Sequence, residues 1–333
     1  MMKVSIAVGS CDLADNDLKQ LSQLGVDCVD LKHGNALPGV KEQGYPDLDG
    51  LLRLKRRIRS YGMEINRVTL PDLSKDFMSG QPGSEAELEN AVQAMRVFGE
   101  AGLTLARQRL SGDVFPYMSQ CYMAQHRGGA GARGEALVCS PAEFPPAAEQ
   151  MEEWWERFIL AFGRLVPVAE EYNMNLAVHP SDTPHFHTPF AGPGLHRVID
   201  AFPSRNVGYV YCVGTRGEAG GTPLVLDEIH EYGRKNRIFL VHLRNVRGSL
   251  ATAGAFEESL LDDGHMNLPK ILLALHKVGY NGCINPDHIT NLQMDRVYRQ
   301  GGHEGLEWVA WSYSIGYVKA LLASLAEFCG ERW

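Results

Sequence analysis

The sequence predicts an α/β fold, a single (β/α)8 barrel of the TIM type running from residue 1 to 333. Two observations carry that prediction. Short runs rich in β-branched residues alternate from end to end with stretches whose apolar residues recur at i, i+3 and i+4, the rhythm of parallel strands joined by packed helices. The runs also number eight, the count that closes such a barrel. At 333 residues the chain could be two average domains, but it contains no linker that divides it and no internal repeat.

Taken in order, the expected strands are Lys3–Val8, Cys28–Lys32, Glu64–Leu70, Leu103–Arg109, Asn175–His179, Val207–Val213, Ile238–Val246 and Gly282–Pro286. The clearest helices between them are Asp47–Tyr61, Ser84–Ala101 and Glu149–Tyr172, followed by Leu224–Lys235, Leu268–Val278 and Leu306–Phe328. Ser84 with Glu87 three residues on has the pattern of a capping box, in which each side chain takes a free backbone N–H of the first turn. Residues 111–146 break the rhythm with the Gly- and Arg-rich stretch HRGGAGARGE and read as a long lid loop after the fourth strand.

Composition narrows the function. The chain is 44% hydrophobic and 22% charged, enough to bury a sizeable core. Its formal net charge of −8 argues against a general nucleic-acid binder, which needs a basic surface for counterion release. The opening MMKVSIAVGS lacks a signal-peptide apolar region and no run of 18 apolar residues occurs, so neither export nor membrane insertion is expected and the reading is cytoplasmic. Seven scattered cysteines without a CxxC pair read as reduced thiols. A homo-oligomer, dimer or higher, is expected.

Residues that end barrel strands share one cleft, so polar residues closing apolar runs are where chemistry is sought. Four consecutive strands end this way: NLAVHP with His179, YVYC with Cys212, IFLVHLRN through His242, and INPDH with Asp287 and His288. Any one of these alone would more often be a satisfied core residue than a ligand. Two imidazoles, a thiolate and a carboxylate on adjacent tips are harder to explain separately, and all are types that bind divalent metals. His288 beside Asp287 can reach the same cleft and titrates near neutrality, which suits a general acid or base; its alternative role is to orient Asp287. Arg244, two residues past His242, would point inward by alternation and could clamp a substrate carboxylate, or else pair with Asp263 or another acid near the rim. Arg107, Arg109 and His33 are weaker candidates for contacting substrate.

These motifs resemble the mannonate dehydratase family, whose barrel is xylose-isomerase-like. The matches are HPSDTP at 179–184, the strand ending at Cys212-Val213-Gly214, VHLRNVRG at 241–248, FEESLLDDGHMN at 256–267, NPDHI at 285–289 and SIGYVKALL at 314–322. They cover the chain from about residue 175 onward; before that only the barrel rhythm and the RGGAGARGEALV stretch agree. The resemblance implies a lyase that removes water from D-mannonate to give 2-keto-3-deoxy-D-gluconate, as in hexuronate catabolism. It also implies a metal, generally manganese (Mn2+), on His179, Cys212, His242 and Asp287. The ligand types alone would favour zinc (Zn2+), and iron (Fe2+) or cobalt (Co2+) are further alternatives.

The chain departs from the family at two places. The family's HPDD motif reads His179-Pro180-Ser181-Asp182 here, so one acid has become a hydroxyl. The family's catalytic tyrosine after the PDH motif has two candidate positions, Tyr298 and His303, and His303 would change the identity of that acid or base. His185-Phe186-His187 lies outside the pattern and reads as rim loop. A sugar isomerase, epimerase or other lyase using metal-assisted proton abstraction is the alternative enzyme, since one fold hosts all of these. A non-catalytic protein that binds a sugar acid is the alternative of a different class.

Overall fold

The computed structural model describes residues 1–9, 13–110, 119–138, 148–180, 193–288, 290, 292–295 and 307–330. Within them the strands are β1 (Lys3–Val8), β2 (Cys28–Leu31), β3 (Glu64–Thr69), β4 (Leu105–Arg107), β5 (Ser119–Gln125), β6 (Gly131–Leu137), β7 (Asn175–Val178), β8 (Val207–Cys212), β9 (Ile238–His242), β10 (Asn245–Ser249), β11 (Ala255–Ser259) and β12 (Cys283–Asn285). The principal helices are α1 (Asp15–Gln23), α2 (Leu48–Ser60), α3 (Glu85–Glu100), α4 (Ala148–Glu171), α5 (Pro193–Ala201), α6 (Val213–Arg234), α7 (Leu268–Lys277) and α8 (Trp308–Phe328).

Eight strands close a parallel barrel in the order β1-β12-β9-β8-β7-β4-β3-β2, the architecture the alternating pattern predicts. Period-two alternation divides their side chains between two cores. Inward-facing Cys28, Leu105, Ala177, Val210, Leu240 and Cys283 form a small plug inside the barrel. Their outward neighbours, among them Val29, Leu176, Tyr209, Tyr211 and Val241, join the larger core shared with the helices. Helix α2 shows how that layer is built: Leu51, Leu54 and Ile58 fall on one buried stripe, and the Asp47 side chain accepts from Gly50 N at 2.7 Å to satisfy a first-turn donor. No helix among the described residues is long and apolar enough to cross a membrane.

Four local expectations need correction. Ser84 makes no capping bond; Glu87 instead accepts from Ser74 N and Ser74 Oγ, both at 2.7 Å, and so ties the helix start to an earlier turn. The expected seventh strand, Ile238–Val246, stops at His242, and Asn245–Ser249 belongs to a different sheet. That sheet holds the largest departure. Part of the expected lid loop is an ordered hairpin, β5–β6, which adds antiparallel to β11 and β10 in the order β10-β11-β6-β5. The remainder of that loop, 111–118 and 139–146, lies outside the described residues, as do Tyr298, His303 and His185-Phe186-His187. Helices α1 and α5 were not read from the pattern, and α6 starts eleven residues before the expected Leu224, running through a break at Gly221, whose φ is 68°.

Candidate metal centre

The four strand-end residues converge. One donor atom from each of His179, Cys212, His242 and Asp287 lies within 4.8 Å of all the others. Cys212 and His242 are paired neighbours at the ends of β8 and β9, and His242 is likewise paired with Asn285 of β12. Their side chains therefore leave the barrel wall at a common height. Asp287 stands beyond β12 with φ 41°, a left-handed conformation open mainly to residues whose short polar side chains bond locally. Asn285 Oδ1 accepts from Asp287 N at 2.8 Å and holds that turn, while Asn285 Nδ2 donates to the buried Asp30 at 2.5 Å.

The donor set fits a divalent cation. His179 Nδ1 donates to Pro180 O at 2.6 Å, since a carbonyl can only accept, which leaves the Nε2 lone pair for the cleft. Among the described residues both ring nitrogens of His242 are buried without a hydrogen-bond partner in good geometry, although Nδ1 lies 3.2 Å from Asp287 Oδ1. An orphaned buried polar atom costs about 1–3 kcal/mol, a penalty that a cation shared with the facing carboxylate would remove. Burial would raise the Cys212 thiol, but the Arg244 guanidinium and His242 outweigh it and the shift is downward, toward thiolate. Burial acts on Asp287 in the same sense and is overcome by His242, His288 and Arg244, which hold its carboxyl well below the usual range.

Arg244 is the hub around the four donors. Its side chain is 1% exposed; Nη1 reaches Glu218 Oε1 and Glu258 Oε1, both at 2.6 Å, and Nε lies 3.1 Å from Asp287 Oδ2. Nη2 donates to Thr215 Oγ1 at 2.9 Å and to Cys212 Sγ at 3.4 Å. Gly214 makes room for this, because a Cβ there would meet Arg244 Nε at 2.6 Å. The guanidinium is thus engaged by acids and by the thiol rather than open to a substrate carboxylate, and Asp263 pairs with Arg247 instead, at 2.6 Å. A second arginine, Arg133 of the β5–β6 hairpin, stands 3.6 Å from Glu218 and 3.5 Å from Glu258. Arg133 thereby fastens the antiparallel sheet to the barrel mouth through Glu218 of α6, and Glu258 of β11 does the same through Arg244.

His288 sits at the edge of this cluster. Its Nδ1 donates to Glu258 Oε1 at 2.8 Å, and Nε2 is 3.8 Å from Asp287 Oδ2, with the side chain 40% exposed. The negative charge of Asp287, helped by the Glu258 bond, raises its pKa against the effect of burial. Of the residues expected to contact substrate, Arg109 is exposed and 3.7 Å from Asp72, Arg107 is half-buried at the end of β4, and His33 is exposed after β2. Burial, then Lys32 and Arg109, push the His33 pKa down. Sequence reasoning missed Glu218, Glu258 and Arg133. Glu258 lies inside the FEESLLDDGHMN motif and could have been found there; Glu218 and Arg133 are joined to it only by pairing across three elements.

The family model described as "D-mannonate dehydratase (UxuA)" matches residues 148–330, more than half of the chain. The chain belongs to that family. Curated relatives agree: "Mannonate dehydratase 2" of Halalkalibacterium halodurans is 24% identical over 79% of this chain and 87% of its own length, and "Mannonate dehydratase" of Geobacillus thermodenitrificans is 26% identical over 79% and 83%. The crystal structure of mannonate dehydratase from Streptococcus suis serotype 2 superposes with TM-score 0.79, covering 100% of this chain and 95% of that one at 19% identity. A xylose isomerase domain protein from Planctomyces limnophilus superposes at TM-score 0.60 with 12% identity, covering 98% of each chain, which places the fold among xylose-isomerase-like barrels. As a member of the D-mannonate dehydratase family the protein is an enzyme, a lyase.

Proposed function

We propose that this enzyme removes water from D-mannonate to give 2-keto-3-deoxy-D-gluconate, with manganese held by His179, Cys212, His242 and Asp287. The convergence of those four donors beside His288, in a chain of this family, is the observation that carries the reading. When bound, the cation supplies positive charge that stabilises the anion developing next to the substrate carboxylate.

The chain's own residues do the rest. Loss of the proton on the carbon bearing the carboxylate and departure of the neighbouring hydroxyl as water leave an enol, which rearranges to the 2-keto acid. One group must take that proton and another must protonate the departing oxygen. His288 is assigned to one of these transfers: Glu258 fixes its ring through Nδ1, so Nε2 is the nitrogen that exchanges a proton over the cleft. Tyr298 and His303 remain the candidates for the second. Arg244 favours the charged forms of Cys212 and Asp287 and keeps them in register, while Arg107 and Arg109 stand on the β4 side of the mouth and His33 on the β2 side. We place the protein in the cytoplasm, as a homo-oligomer.

The deciding experiment incubates purified, manganese-loaded protein with D-mannonate and assays for a 2-keto-3-deoxy acid. The expected result is product well above a metal-free control. An epimeric or isomeric sugar acid would replace the dehydratase reading with isomerase or epimerase chemistry. Tight binding without any product would make the protein a sugar-acid binder.

A further inference from the structure

Strand β3 carries an anomaly that the site as described does not use. Its pairing with β2 slips by one residue: Val29 faces Ile65 but Asp30 faces Arg67, so Asn66 is an extra residue in the wall. The outward positions Ile65 and Val68 are consequently three apart, and both join the helix-side core. Arg67 is turned the other way, into the barrel, paired laterally with inward-facing Asp30; Thr69, on the same face, pairs with Arg107.

The guanidinium so placed is 1% exposed, and its Nη1 donates to Thr69 Oγ1 at 2.8 Å. Its Nε is buried with no partner, and Arg67 makes no ion pair among the described residues. The nearest inward acid is committed elsewhere: Asp30 accepts from Ser5 Oγ at 2.7 Å, Asn66 Nδ2 at 2.7 Å and Asn285 Nδ2 at 2.5 Å. An arginine stays charged in a protein; Asp30 and Asp287 attract this one without a direct ion pair, and a buried charge that lacks a hydrogen-bonded partner of opposite sign costs several kcal/mol. Arg244, by contrast, is as deeply buried but has three acids around it. In the barrel order β3 lies four strands from β9 in either direction, so Arg67 faces His242 and its neighbours from across the mouth.

We propose that Arg67 is the anchor for the carboxylate of the substrate, holding it toward β3 so that the hydroxylated carbon chain extends to the donor cluster on β7, β8, β9 and β12. The inference rests on the reading of a sugar acid as substrate, and it assigns to Arg67 the duty that sequence alternation offers to Arg244. A planar guanidinium with a free N–H edge matches a carboxylate bidentately, and an incoming anion supplies the direct ion pair it lacks. Neutral sugars of the same length would lack that pairing.

Isothermal titration of D-mannonate, D-gluconate and uncharged D-mannitol into the wild type, Arg67→Lys and Arg67→Met, with metal content and ligand-free urea unfolding measured alongside, tests this. In Arg67→Met both aldonates should weaken by about 10- to 100-fold, the loss of one charge-assisted pair, while mannitol shifts by less than about twofold. Arg67→Lys, keeping the charge without the fork, should fall between. Metal content should be unchanged, and the ligand-free Arg67→Met protein should unfold at equal or higher urea, since a buried charge without a direct ion pair has gone. Aldonate affinity within about threefold of wild type in Arg67→Met, equal weakening of mannitol, clear destabilisation of the ligand-free variant, or no aldonate binding by the wild type would each overturn the assignment. Aldonate binding that depends on Arg67 without a 2-keto-3-deoxy product would retain the anchor and remove the dehydratase reading. Normal turnover of D-mannonate with unchanged KM in Arg67→Met would do the reverse.

Discussion

Replacing Arg244 by Met is the severest single test of how the mouth of the barrel is held together. The side chain is 1% exposed and contacts Glu218 and Glu258 at 2.6 Å each and Asp287 at 3.1 Å, so its loss takes a buried cation from three acids, although Glu258 keeps His288 and Asp287 keeps His242 and His288. Removing one member of a buried ion pair costs about 3–5 kcal/mol because the other charge stays behind. Arg133 remains 3.6 Å from Glu218 and 3.5 Å from Glu258 but is 30% exposed, which offsets part of the loss and puts the expected value near the low end, about 3 kcal/mol. That is a large fraction of the roughly 5–15 kcal/mol that holds a typical domain together. Equilibrium urea unfolding should show the midpoint fall with little change in slope. Adding Glu218→Gln to Arg244→Met removes one stranded charge and should recover more than a third of the loss. A single-variant cost below about 1 kcal/mol, or no recovery in the double variant, would refute the reasoning.

Cys212→Ser, which exchanges a soft thiolate for a hydroxyl in a position 0% exposed, should lower bound manganese by at least tenfold while leaving the far-ultraviolet circular dichroism unchanged; stoichiometric metal in the variant would exclude Cys212 as a donor. Asp262 ties the hairpin to α8, accepting from Arg127 at 2.7 and 2.8 Å and from Tyr313, and although burial would raise its carboxyl, those bonds bring it below the ordinary value of 3.8. A carboxyl lowered on folding contributes stability that is complete above its unfolded value and vanishes as pH falls through the folded one. The Tm gap between wild type and Asp262→Asn should therefore be full at pH 7 and close below the ordinary carboxylate range; a gap that persists in acid would show the bridge to be irrelevant.

The parts of this molecule that could be read from sequence are those governed by short-range pattern. His179, Cys212, His242 and Asp287 were legible because each closes an apolar run, and strand ends in a barrel share one cleft. Their packing into a single donor cluster follows from lateral pairing such as Cys212 with His242. The hairpin was not legible: SQCYMAQ has no clean alternation, and what makes it a strand is pairing with GARGEAL and, through that, with residues 255–257, more than a hundred positions away. Arg133 was hidden for the same reason, since the partners that give it meaning are Glu218 and Glu258. Arg244 was placed at the right end of the right strand, but alternation says only which way a side chain points and not which acids wait there. Arg67 escaped because strict alternation would send it outward from the barrel, and one extra residue, Asn66, reverses that.

The irregularity at Asn66 has a bearing on how pockets of this kind diversify. A closed ring of strands resists rotation of any one member, since its neighbours on both sides fix where it starts and ends. A single added residue that bulges out escapes that restraint: the strand keeps its two flanks, and the residues on either side of the bulge keep their inner and outer rows. Gain or loss of one codon at the bulge is thus absorbed locally, since without Asn66 the register would still set Arg67 opposite Asp30 and facing inward, and the seven other strands are left alone. Ligand charge in such lineages should track point substitutions at inward rungs rather than insertions and deletions within strands.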